Sequence, residues 1–159
     1  MSEYAVLDAA RDYSAVAMAR IVSPHHQSLF EGGRGERLDD VAPHLVQADD
    51  RGNLARITLC GAAPGEFGVF LESQADFATL RNHLRRRLSV IRERDGKRVF
   101  FRYYDPRVMR AFLPACAVDE AAAFLGPIDV VRVQDEEPGF VLTFERRGPG
   151  LALRRERLC

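Results

Sequence analysis

Residues Val99 to Val108 read VFFRYYDPRV, and no other run constrains the fold as tightly. Alternation places Val99, Phe101 and Tyr103 on one face of a strand, with Phe100, Arg102 and Tyr104 on the other. Bulky groups on both faces predict a central strand covered on both sides. Asp105-Pro106 then predicts a helix start, with Asp105 as N-cap and Pro106 at the first helical position. An arginine among aromatics needs a partner, because burying a lone charge is very costly. Asp8 and Asp105 are the candidates. One role for this set is a structural ion network that fixes the strand-to-helix turn. Another is that Arg102, Tyr104 and Arg107 stay partly exposed and bind a partner's backbone or carboxylates. The two roles are compatible.

Elements upstream fit the same plan. Tyr4 to Leu7 is a short apolar run that predicts a buried strand ending at Asp8. Ala9 to Val22 carries Tyr13, Val16, Ala17 and Ile21 at helical spacing, and Pro24 stops that helix. His25 to Phe30 predicts a short helical turn, and Pro43 to Val46 and Phe67 to Leu71 predict strands. Leu54 to Cys60 fits strand or helix. Glycines among charges make 31–40 a mobile surface loop, and Gly61 to Gly65 is another loop. Ser73 and Asp76 form a capping-box pattern ahead of an apolar stripe at Phe77, Leu80, Leu84 and Leu88. His83 lies beside that stripe as a packing or capping residue. Val90 to Arg94 and Arg98 to Tyr104 flank Asp95-Gly96, a hairpin turn signal.

Downstream, Val108, Met109, Phe112 and Leu113 give a helix its apolar face, and Pro114 ends it. A second helix runs from Asp119 to Leu125 and stops at Gly126-Pro127. Ile128 to Val133 and Phe140 to Glu145 predict strands around an acidic turn. The reading is an α/β (α+β) fold. It has one domain over 4–145, with a mixed β-sheet that contains an antiparallel hairpin at about 88–104 and packs with helices. The glycine-broken, arginine-rich stretch 146–159 reads as a tail, frayed or ordered by a partner.

The chemistry-bearing residues are sparse. No G-x-S-x-G, H-E-x-x-H or phosphate-binding glycine loop is present. His25-His26 lacks a following carboxylate or cysteine at ligand spacing, so no metal site is expected. Cys60, Cys116 and Cys159 are far apart and form no C-x-x-C pair. No nucleophile, base and orienter can be assembled from His25, His26 or Cys60, so no catalytic residue is assigned and no cofactor is expected. Twenty-three basic residues balance 23 acidic ones, which argues against a nucleic-acid partner despite Arg85-Arg86-Arg87. No stretch approaches the ~20 apolar residues of a membrane-spanning helix, and no signal peptide is evident. A cytoplasmic protein is expected.

The stretch LRNHLRRRLSVIRERDGKRVFFRYYDPRVMRAFLP, Leu80 to Pro114, resembles the domain-of-unknown-function 4123 family. YAVLDAARD, HQSLFEG, FGVFLES and AAFLGPIDVV follow in the family's order, so the resemblance spans about 4 to 133. That family is known as effector-adaptor chaperones of type VI secretion. The resemblance implies a non-catalytic protein that binds a toxic effector in the cytoplasm, keeps it soluble and helps load it onto the spike protein. It implies no small-molecule substrate. Many members carry a further large C-terminal lobe. The chain reads as a short form without it, leaving cargo choice to the tail or a second subunit. The expected partner-binding or structural network is Asp8, Arg102, Tyr104, Asp105, Pro106 and Arg107, with loops 31–40 and 61–65 also touching the effector. An immunity-type protein that neutralises a neighbouring toxin is the alternative.

Overall fold

The computed structural model describes residues 1–23, 25–30, 41–48 and 68–157. The expected loops at 31–40 and 61–65, the segment 54–60, and Pro24, Cys60 and Cys159 lie outside the described residues.

The described elements, in chain order, are β1 (Ser2–Asp8), α1 (Tyr13–Val22), β2 (His26–Ser28), β3 (Pro43–Gln47), β4 (Gly68–Ser73), α2 (Phe77–Arg87), β5 (Ser89–Ile91), β6 (Arg98–Phe100), α3 (Pro106–Ala115), α4 (Val118–Leu125), β7 (Ile128–Gln134), β8 (Phe140–Arg147) and β9 (Gly150–Arg157). Seven strands form one sheet in the order β2-β3-β1-β4-β7-β8-β9, and β5 pairs with β6 in a separate ribbon. The α+β character matches the sequence reading. The sheet is not mixed in direction, because every strand pairing among the described residues is antiparallel.

The apolar run in β1 explains its place. Tyr4 to Leu7 are all buried, and β1 has a neighbour on each side, β3 and β4. Pleating then sends Tyr4 and Val6 to one face and Ala5 and Leu7 to the other. The first face meets α2, α3 and α4 through Leu80, Leu84, Met109, Leu113, Phe124 and Leu125. The second meets α1 through Val16 and Ala19. Each fully buried aliphatic side chain contributes about 1.5–3 kcal/mol of transfer free energy.

Caps set the helix starts. Asp12 accepts the Ser14 and Ala15 amides at the head of α1. Asp76, not Ser73, caps α2 by accepting the Thr79 amide. Ser73 instead closes β4, donating to the Pro127 carbonyl at 2.6 Å and accepting the Ala75 amide. Glu120 reaches back to the Ala117 amide before α4. The expected helical turn at His25 to Phe30 is instead β2, which pairs with β3.

Two larger expectations fail. The central strand Arg98 to Tyr104 does not form: β6 is three residues long and its ribbon lies outside the main sheet. Instead the chain turns at Tyr103 and Tyr104, just ahead of α3, and both side chains are buried there. The tail boundary at 145 also fails. β8 runs on to Arg147, Gly148 turns with φ +56°, and β9 pairs along the whole of β8. The arginines of 154–157 are exposed side chains of β9, an edge strand of the sheet among the described residues, a common guard against unwanted strand addition.

His83 is buried on α2 and donates Nε2–H to the Phe124 carbonyl at 2.6 Å, tying α2 to α4. Burial, helped by the charges of Arg87 and Arg86, holds its pKa below the usual 6.5 despite the bond to Phe124. The unfolded chain therefore takes up this proton at higher pH than the folded one. The stability due to neutral His83 is complete above pH 6.5 and is lost as pH falls below it. The urea midpoint of the wild type should drop more steeply between pH 7 and pH 5 than that of His83→Gln. Parallel pH profiles would show that His83 does not carry the effect.

Candidate partner-binding site

The end of β1 and the start of α3 bring two buried carboxylates close together in the fold. Asp8 is the last residue of β1, and its Oδ1 accepts the Ala10 amide at 3.1 Å. Its Oδ2 accepts Nη2 of Arg102 at 2.9 Å. The Arg102 side chain is 46% exposed, so this pair joins a buried acid to a solvent-facing base. The guanidinium also lies 5.8 Å from the centre of the Tyr104 ring, within cation–π range. Burial works against the charge on Arg102, but Tyr104 and Asp8 outweigh it and raise its pKa. Burial raises the Tyr104 phenol, with Arg102 opposing.

Asp105 caps α3 as its sequence predicted. Its carboxylate accepts the Arg107 amide at 2.9 Å, then Nε and Nη2 of the same residue at 3.1 and 2.8 Å. Pro106 occupies the first turn, where its missing N–H leaves no bond unmade. Arg11 approaches from the β1–α1 turn, with Nη1 3.7 Å from Asp105. Burial pushes the Asp105 carboxyl up, but Arg107 and Arg11 overcome this and hold it below the usual carboxylate range. The forked Arg107–Asp105 contact is the geometry that makes arginine a specific carboxylate partner.

All six residues singled out from sequence therefore fall in this region. Four of them form two pairs, Arg102 with Asp8 and Arg107 with Asp105, while Tyr104 lies against Arg102 and Pro106 opens α3. Arg11 was missed: it sits in a turn, where no periodicity points to it. An open groove of about 540 Å³ lies beside the second pair, lined by Asp105, Arg107, Val108, Ala111 and Phe112. Val108, Ala111 and Phe112 of α3 supply the apolar part of this lining, and Asp105 and Arg107 the charged part.

Sequence alone suggests that Arg107→Glu spares the fold. The geometry predicts otherwise, because the new carboxylate would face buried Asp105 and remove its forked bond. A loss of about 1–3 kcal/mol is expected in urea denaturation, with a smaller loss for Arg107→Gln. A Glu variant as stable as wild type would mean that the fork contributes nothing.

Other chemistry is thin. Cys116 is partly buried, and burial together with nearby Glu120 raises its pKa, which keeps it a weakly nucleophilic thiol. Among the described residues no three His, Cys, Asp or Glu side chains gather as a metal site, and no helix is long and apolar enough to cross a membrane.

No curated protein and no solved structure matches the chain. The family model described as Domain of unknown function (DUF4123) matches residues 3–123, from β1 into α4, and takes in both carboxylates and all three arginines of the site. A match over that much of the chain, across the elements that build this junction, places the protein in the DUF4123 family.

Proposed function

We propose that this protein is a non-catalytic adaptor chaperone of bacterial type VI secretion. It binds an effector in the cytoplasm, keeps it soluble and helps pass it to the spike protein. Membership of the DUF4123 family is the observation that carries the reading. The site is compatible with it. Arg11, Arg102 and Arg107 are each anchored on a buried carboxylate, yet their side chains remain about a third to a half exposed. Anchored arginines lose little further entropy on binding, which suits recognition of a partner surface. A stable complex should bury more than about 1,000 Å².

Co-expression with the products of neighbouring genes, followed by size exclusion, tests the proposal. Co-elution with a toxin and a rise in that toxin's soluble yield are expected. Elution alone beside every neighbour would overturn the adaptor reading. Protection of cells from the toxin in the absence of any secretion apparatus would replace it with immunity.

A further inference from the structure

The β5–β6 ribbon is the least self-sufficient part of the described fold. Among the described residues its strands pair only with each other, and a lone two-stranded ribbon is marginal in water. It nevertheless exposes Ile91 at 65% and Phe100 at 52%. The register sets Ile91 opposite Arg98 and Phe100 opposite Ser89, so these four side chains share one face. That face continues inward. Phe100 meets Phe30 at 6.1 Å and Tyr104 at 6.4 Å between ring centres, and Tyr104 meets Arg102. An apolar strip therefore runs from the ribbon to the Asp8–Arg102 pair.

Charge identifies what would cover it. The chain as a whole is neutral, but residues 91–102 carry Arg92, Arg94, Lys97, Arg98 and Arg102 against only Glu93 and Asp95. All seven are exposed. A second copy of this chain would bring like charges together, which disfavours it. Single-stranded nucleic acid needs flat rings on which bases can stack. Here the rings stand edge-on to one another, at 71° and 67°, and the strip ends in an aliphatic residue.

We infer that this face docks a segment of the partner protein that presents apolar side chains bordered by carboxylates. The inference rests on the adaptor reading for the identity of the partner as a protein. Apolar side chains of the segment cover Ile91 and Phe100, and its carboxylates meet Arg98 and Arg102.

The test uses the full chain, a phage-displayed library of random 12-residue peptides, and the double variant Ile91→Ser/Phe100→Ser. The three ribbon positions altered in the test are exposed, so circular dichroism should be unchanged in every variant. Selected peptides should be rich in Leu, Ile, Phe or Met together with an excess of Asp and Glu. They should lose about tenfold or more in affinity for the double variant. Arg98→Glu, which leaves the apolar surface in place, should weaken the same peptides. Failure to enrich any peptide, enrichment without acidic excess, or undiminished binding to the double variant would overturn the inference. So would tighter binding of a thymidine 20-mer than of the peptides. Two further results separate this inference from the adaptor reading. A toxin complex that forms equally well with the double variant sinks the surface and leaves the adaptor reading standing. Acidic peptides selected at the ribbon, with no toxin co-eluting with wild type, do the reverse.

Discussion

Tyr103→Ala is expected to lower the unfolding free energy by about 3–5 kcal/mol, the usual cost of emptying a large aromatic site. The ring is 1% exposed. It packs edge-on against Phe101, Tyr104 and Phe124 at 6.0, 5.8 and 5.6 Å. Its hydroxyl has a second task. The Leu88 amide at the end of α2 bonds to the Arg85 carbonyl, one residue past the usual helical acceptor, Leu84. The Tyr103 hydroxyl donates to the Leu84 carbonyl at 2.9 Å and fills that place. Burial pushes the phenol well above its usual pKa, so it remains a donor at any working pH. Tyr103→Phe keeps the ring and should cost only about 1–3 kcal/mol. At about 2–4 °C per kcal/mol for a chain of this size, Tyr103→Ala should lower the melting temperature by roughly 6–20 °C. An Ala variant within about 1 kcal/mol of wild type would show that the ring cluster does not hold α2 to α4.

Gly126→Ala is the second large effect. Gly126 ends α4 at φ +50°, where a side chain is strained by about 1–2 kcal/mol. A Cβ there would also lie 2.3 Å from Cε1 of His83, with Nδ1 and Nε2 at 2.7 and 2.9 Å. Arg146 donates to the Gly126 carbonyl and helps pin the backbone. The ring must therefore move and give up its bond to Phe124, which adds about 1–3 kcal/mol. A total loss of about 2–5 kcal/mol is expected. His83→Ala removes the obstacle, so the double variant should be at least about 0.5 kcal/mol more stable than the two separate losses imply. Additive losses in urea denaturation would show that the clash with His83 is not the cause.

The sequence was most legible where one local rule acted alone. Tyr4 to Leu7, apolar at every position, could only be a strand covered on both faces. Asp105-Pro106 carried its own capping chemistry into α3. The pairing of Arg102 was half legible: a charge among aromatics demanded an acid, but only the fold chose Asp8 over Asp105. FFRYY misled because bulky residues at every position imitate a doubly covered strand. The same composition also serves a turn in which Tyr103 and Tyr104 both point inward. β9 was hidden because an edge strand needs a partner on one side only, so Arg154, Arg155 and Arg157 could replace the apolar alternation. Arg155 even stacks over Phe140 at 3.8 Å while bonding Asp135 and Glu137. The exposed face of the β5–β6 ribbon was not anticipated, since Ile91 and Phe100 read as core residues by type.

The position of β1 between β3 and β4 also sets a schedule for synthesis. Asp8 closes β1, and its second neighbour starts at Gly68, 60 residues later. At about 5–20 residues per second, a nascent chain carries β1 for roughly 3–12 s before β4 has been made. During that interval its backbone lacks at least one of its two ladders, both until β3 is made, and Tyr4 to Leu7 lack most of their cover. Slower translation between these strands should lengthen the exposure and raise the fraction of newly made protein that aggregates, with no change in the stability of the finished molecule.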